Sequence, residues 1–249
     1  YLKLNSKHIL KHFCPVLHRI SCVICNVIMK SFLTIIGILF CTFVWGGPIV
    51  PAGAFSITRI HYGGGGDWYC DPSSIPNLLS FIKQKTNVAI DPVEKRAKIG
   101  DNVFYSSPYL YMTGHGNIKF TDKESQILRD HLIRGAFLHA DDNYGMDDSF
   151  RREMKKVFPE LEWVELPPDH QVFHILFDFQ NGLPKIHEHD KKRPQALGLF
   201  YDKKLVVLYT YESDLGDGWE DPEVHIDPPE LQQAALEMGT NIILYALIR

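Results

Sequence analysis

His187 and His189 stand two residues apart, so on an extended segment both imidazoles face one side while Glu188 and Asp190 point the other way. Two imidazoles joined by a carboxylate from another loop form a donor set for zinc or another divalent ion, with Glu188 available as a base toward a metal-activated water. His139 and Asp141 repeat the same spacing and join them as metal candidates, although a polar cluster at a strand end is the more natural reading. A surface His-Glu-His-Asp loop paired with its neighbours is the alternative for His187 and His189.

Four successive glycines, Gly63 to Gly66, precede Asp67 and Trp68. Without side chains they could offer backbone N–H groups to an anion, or could make a tight turn that projects Asp67 and Trp68. The segment Asp214 to Asp221 is acidic and glycine-rich, but its carboxylates miss the spacing of an EF-hand loop. Trp68, Tyr144 and Trp219 could present flat faces to a sugar or peptide ring, with packing beneath a loop as the competing role. His131 falls on the apolar side of a helical pattern beside Ile127 and Leu128, where it reads as a packed core-edge histidine.

These groups need a scaffold, and the 249 residues supply one: 45% are hydrophobic and 22% charged, a globular composition that excludes disorder and fibrous repeats. Residues 1–54 carry Lys3, Lys7, Lys11, Arg19 and Lys30 and no acid, which leaves 21 basic against 30 acidic residues from Phe55 onward, a net −9. A body this acidic is a poor partner for nucleic-acid phosphates.

Met29 and Lys30 are followed by an apolar run from Ser31 to Trp45, a Gly46-Gly-Pro48 break, and Ala52-Gly-Ala54 at a signal-peptidase spacing. Residues 29–54 thus read as a signal peptide. The run is shorter than the ~20 residues that cross a bilayer, which favours cleavage over a retained anchor. Export to the periplasm or cell envelope follows, with membrane contact only through an uncleaved leader. Residues 1–28 read as upstream sequence that is not part of the native structure. Cys14, Cys22, Cys25 and Cys41 all fall before residue 55, so Cys70 has no partner for an intramolecular disulfide and reads as a small packed hydrophobe.

From residue 55 the pattern is that of a single α/β domain. Phe55 to Tyr62 reads as a strand, followed by a helix capped at Ser73 or Ser74 with Ile75, Leu78, Leu79 and Ile82 on one face. Tyr109 to Thr113 is a buried strand, Thr121-Asp-Lys-Glu124 a capping box opening a helix that Gly135 closes, and Ala136 to Ala140 the next strand. A further helix carries Phe150, Met154 and Val157, with Asp147, Asp148 or Ser149 as its cap. Gln171 to Phe179 is expected as a strand, Ala196 to Tyr201 and Leu205 to Tyr211 as a hairpin at one edge of the sheet, and Asp227-Pro-Pro-Glu230 as the cap of the last helix. The expected fold is a three-layer, doubly wound, mostly parallel sheet with an antiparallel edge hairpin. Loops beyond the carboxyl ends of such strands form a ligand crevice, where Asp67, Trp68, His115, Asp141, Asp142, Asn143, Tyr144, Asp217 and Trp219 are the binding candidates.

Five motifs taken together, Tyr62-Gly-Gly-Gly-Gly-Asp-Trp68, Tyr111-Met-Thr-Gly-His-Gly116, Leu138 to Gly145, Lys185-Ile-His-Glu-His-Asp190 and Asp214 to Asp221, resemble the uncharacterised bacterial family called domain of unknown function 4159. The resemblance spans nearly all of residues 55–249. It implies a class I glutamine amidotransferase-like fold and an envelope location, and it supplies no activity. Amidotransferases of that class raise a cysteine on a Gly-x-Cys-x-Gly elbow at a strand end. The similar turn here is Asp141-Asp-Asn-Tyr-Gly145, which puts Asn143 in the nucleophile's place, and a carboxamide cannot form the thioester. Two functional readings remain: a module that binds a small ligand, a glycan or an envelope protein, or a hydrolase in which a divalent metal activates water.

Overall fold

Strand β3, Tyr109–Met112, shows why the sheet is central: Tyr109 and Tyr111 enter one core cluster, Leu110 and Met112 the other, and all four are buried. A strand apolar on both faces must be covered by helices on both sides. The computed structural model describes residues 53–189 and 191–249, so the upstream-segment and signal-peptide expectations lie outside the described residues.

The sheet has seven strands: β1 (Thr58–Ile60), β2 (Lys95–Ala97), β3, β4 (Phe137–Asp141), β5 (Val164–Glu165), β6 (Gln195–Tyr201) and β7 (Lys204–Tyr211). Their order is β2-β1-β3-β4-β7-β6-β5. From β2 to β7 the pairings are parallel; β6 and β5 run antiparallel at the edge. The helices are α1 (Ser74–Lys85), α2 (Asn102–Tyr105), α3 (Asp122–Ile133), α4 (Asp147–Val157), α5 (Leu215–Trp219), α6 (Pro222–His225) and α7 (Pro229–Ile248). One face of the sheet packs on Leu78, Ile82, Trp219, Met238 and Ile242 from α1, α5 and α7; the other packs on Leu128, Leu132, Phe150 and Met154 from α3 and α4. The protein is α/β with a mostly parallel sheet and helices on both faces. Among the described residues, no helix is long and apolar enough to cross a membrane.

Local signals hold where both partners sit close in the chain. Thr121 and Glu124 form the full capping box of α3, and Gly135 leaves the helix with φ +116°. Asp202 and Lys203 both take positive φ in the two-residue turn between β6 and β7.

Four expectations need correction. The first strand is only Thr58–Ile60, although His61 N still donates to Ala97 O at 2.8 Å before the chain enters the glycine loop. The N-cap of α4 is Met146, so Asp147 and Asp148 lie in the first turn, where they oppose the positive end of the helix dipole rather than cap it. The N-cap of α7 is Pro228, not Asp227. Gln171 to Phe179 is no strand: Gln171–Phe173 is one 3-10 turn, started by His170 Nδ1, which accepts from Val172 N.

The reason lies in α7, where fully buried Asn241 supplies what a strand ladder would. Its Oδ1 accepts from the N–H groups of Leu176 and Phe177, each at 3.0 Å, and its Nδ2 donates to Phe177 O at 2.7 Å. Asn241→Ala therefore orphans three backbone groups. Chemical denaturation is expected to show a loss of about 3 kcal/mol, near one per bond.

Candidate functional site

Parallel strands present their carboxyl ends at one edge, so the loops after β1, β3, β4 and β7 meet there. The segment entering β6 arrives at the same edge because β6 runs the opposite way.

The first wall hangs from Arg59, which β1 buries completely. Its Nε lies 2.8 Å from Glu94, Nη1 donates to Cys70 O at 2.7 Å, and Nη2 donates to Asp71 O at 3.1 Å and Ser74 Oγ at 3.2 Å. This fork holds the turn in which Asp71 adopts φ 52°. Asn143 Nδ2 then donates to both Asp71 oxygens at 3.1 and 3.2 Å and to Cys70 Sγ at 3.4 Å, while the Cys70 thiol donates to Asp71 at 3.3 Å. Cys70 thus belongs to the polar crevice, correcting its reading as a packed hydrophobe. Burial and then the Asp71 charge push its thiol well above the usual range, which opposes thiolate formation.

Asp67 faces His115: one carboxylate oxygen accepts from the His115 backbone N–H and the other lies 3.0 Å from its Nδ1. Gly66 donates its N–H to Asn117 O at 3.1 Å, and a Cβ on Gly66 would stand 2.7 Å from His115 O. The glycines let two loop backbones touch, which favours the tight turn over an anion cradle. Trp68 stacks on His61 with ring centroids 4.1 Å apart and stays half-buried.

Under this wall runs a buried hydrogen-bond chain. His139 touches Tyr109 Oη through Nδ1 at 3.2 Å and Thr210 Oγ1 through Nε2 at 3.0 Å, and Thr210 Oγ1 donates to Asp141 Oδ1. Burial drives His139 down to about 3, so the imidazole is neutral. A neutral ring with one proton fits the order Tyr109 to His139 Nδ1, His139 Nε2–H to Thr210, Thr210 to Asp141. The other Asp141 oxygen accepts from Gly216 N at 2.6 Å. The approach is close: a Cβ on Gly216 would lie 2.9 Å from Tyr111 Oη and 3.1 Å from Asp71 Oδ2. His139 and Asp141 are therefore spent on each other's support and do not join His187 and His189 as metal ligands, correcting that part of the metal expectation. Burial nevertheless raises Asp141 to about 7 despite these donors.

Asp142, beyond the strand end, has an unpartnered Oδ1 and borders a cavity of about 230 Å³ with Tyr144, Tyr211 and Glu212. Burial, followed by the charge of Asp147, raises it to about 6. Opposite, Asp214 pairs with His189 Nε2, and His189 lies between the rings of Tyr144 and His187, with centroids at 4.6 and 5.4 Å. Burial and neighbouring carboxylates raise Asp214 to about 10 and Asp217 to about 8. His187 and His189 do share one side of their loop, yet His187 turns to Asp217 and His225 instead of to β4. Lys185 and Arg151 are ion-pair partners of Glu212 and Asp147. Glu188 is exposed.

Asp71, Tyr144, Glu212, Asp214 and Ile226, all in loops at this edge, take φ of 52°, 70°, 59°, 63° and 58°. Left-handed backbone in non-glycine residues costs energy and concentrates at functional sites. The structure brings Asp67, His115, Asp142, Asn143, Tyr144 and Asp217 to one edge. Trp219 is not available to a ligand: it is 1% exposed, with Nε1 donating to Ala235 O at 2.7 Å beneath α7. Gly239 on α7, where a Cβ would stand 2.8 Å from the ring, admits its indole into the core.

A family model described as a domain of unknown function (DUF4159) matches residues 56–247. The chain belongs to the DUF4159 family. No curated protein matches it. Within this DUF4159 domain, Asp71, Glu220 and His225 are site residues that spacing along the chain did not reveal. Asp71 hides behind Cys70, and His225 stands alone after Pro222. The available signal was the density of acids and one histidine between Glu212 and Asp227.

Proposed function

We propose that this domain is a binding module of the cell envelope whose carboxyl-edge crevice takes a cationic ligand group. One observation carries the reading: Asp71, Asp141, Asp142, Asp214 and Asp217 are buried together, and among the described residues none is ion-paired to a lysine or arginine. Buried carboxylates without a counter-charge hold protons or recruit a cation. Tyr144, about half exposed, borders the same cavity as Asp142 and suits a ring such as an amino sugar's. An amidotransferase-like ancestry is part of this reading, supported by the doubly wound strand order and by the sharp turn at residues 141–145 that follows β4. The leader pattern between Met29 and Ala54 supports the envelope location.

Thermal denaturation of the chain at pH 7.5 with diamines, amino sugars, divalent cations and polyanions tests it. A cation at a hundred times its Kd stabilises by about 2.7 kcal/mol, a rise in Tm of roughly 5–10 °C at this size. Asp214→Asn is expected to abolish that rise. Stabilisation by polyanions alone would overturn the proposal. Metal-assisted hydrolysis is the second reading, favoured by the imidazoles that face Asp217.

A further inference from the structure

Two groups of metal-ligating side chains occur among the described residues, and they differ in what their atoms already do. In the group Asp67, Cys70 and His115, Asp67 is hydrogen-bonded to His115 and Cys70 to Asp71 and Asn143. In the group His187, Asp217 and His225 the ligand atoms face one another, and two atoms of the group have no hydrogen bond. His187 Nδ1 and Asp217 Oδ1 are buried atoms with no hydrogen-bond partner, and the Asp217 side chain is 7% exposed.

Distances add to this. Asp217 Oδ2 lies 3.5 Å from His187 Nδ1 and 3.5 Å from His225 Nδ1. A tetrahedron whose metal–nitrogen and metal–oxygen bonds measure about 2.0–2.2 Å has donor–donor edges of about 3.3–3.6 Å. Both edges that meet at Asp217 match ligands around a shared ion, and the three ligand atoms all lie within 4.8 Å of one another. His225 Nε2, the nitrogen turned away from Asp217, lies 3.1 Å from Glu220 Oε2. A carboxylate behind a ligating histidine fixes its tautomer and presents the other nitrogen to the metal. Glu220 is itself fixed by Ser73, whose backbone N–H and Oγ donate to Oε1 at 3.3 and 3.1 Å.

We infer that His187, Asp217 and His225 form a zinc-type divalent metal site, with Glu220 as the positioning residue behind His225. This rests on the reading of the crevice as cation-binding and names the cation. Three protein ligands leave a fourth position, and the imidazoles of His187 and His225 are 34% and 23% exposed, so that position opens toward solvent. Such a site could hold a water or a ligand's donor atom.

The test uses the full chain with Cys14, Cys22, Cys25 and Cys41 replaced by serine, so that cysteines before residue 55 cannot take the metal. Calorimetric titration with Zn²⁺ is expected to give one equivalent, and Co²⁺ a tetrahedral visible spectrum without thiolate charge transfer. His225→Ala should weaken zinc by about 100-fold or more and Glu220→Gln, which keeps the Ser73 contacts, by about 10-fold, with circular dichroism unchanged. Zinc affinity indifferent to His225→Ala, or a thiolate band lost in His115→Ala, would overturn the site. Absence of zinc binding while amines still raise Tm would overturn it and leave the cationic crevice standing; absence of stabilisation by every cation would remove both.

Discussion

Arg59→Met is expected to destabilise the domain by about 3–5 kcal/mol, the usual cost of stranding the partners of a buried charge. At this size that lowers Tm by roughly 6–20 °C. The guanidinium is the donor for Cys70 O, Asp71 O and Ser74 Oγ and shares with Arg96 the neutralisation of Glu94, whose side chain is itself only 6% exposed. A thioether fills the volume and serves none of them. Arg59→Lys tests whether the fork matters beyond its charge: one ammonium cannot reach Glu94 and the turn at Asp71 together, so it should recover only part of the loss. Both variants should also weaken cation binding at the crevice, because the Cys70–Asp71 turn forms one of its walls. Denaturant titrations of the three proteins check the order Arg above Lys above Met; a Met variant as stable as the parent would show that the turn stands without its anchor.

How much of this was legible in the sequence depends on how far apart the cooperating residues lie. The capping box of α3, the β6–β7 turn and the two-sided burial of β3 are set by residues within a few positions of each other, and the sequence reading of each holds in the structure. The error at residues 171–179 arose because Asn241 takes over the backbone bonds from a helix far along the chain. Asp67, His115, Asp142 and Asn143 could be placed because a doubly wound sheet collects its strand-end loops. Trp219 could not be told from a ligand platform until its indole was seen beneath α7, and His225 gained a role only when α6 brought it against Asp217.

The metal-free domain is expected to lose stability as pH rises from 5 to 8, and Asp141→Asn to remove one part of that slope. Asp141 is held at about 7 in the fold against 3.8 for the free side chain. Between those values the folded state keeps a proton that the unfolded chain has released, so stability falls as pH climbs. The contribution of the bound proton is complete below 3.8, is lost on passing through about 7, and amounts to on the order of 4 kcal/mol at 1.36 kcal/mol per pH unit. Asp142, raised to about 6, Asp217, raised to about 8, and Asp214, raised to about 10, add in the same direction, while His139, lowered to about 3, opposes them up to its free value of 6.5.

An asparagine at 141 keeps an oxygen for Gly216 N, while its amide can donate to Thr210 Oγ1, which is 3.2 Å from Ala140 O and can turn its own proton there. The variant should therefore match or exceed the parent at pH 8 and fall level with it or below at pH 5. Melting curves with chelator present, taken at half-unit intervals, check the crossover. An Asp141→Asn variant whose Tm falls with pH as steeply as the parent's would refute the protonated state assigned to Asp141.

The β7 strand lies between β4 and β6, although the chain makes β5 and β6 before it. The pairing of β4 with β7 closes a loop from Asp141 to Lys204, the kind of non-local contact that slows folding and is made late. Glu212, Asp214, Asp217 and His225 all follow that closure. A nascent or C-terminally truncated chain can thus form its first parallel strands and the Arg59 turn while having only half a crevice, so ligand-binding competence should emerge as the last kinetic phase of refolding, after most of the helical signal has returned.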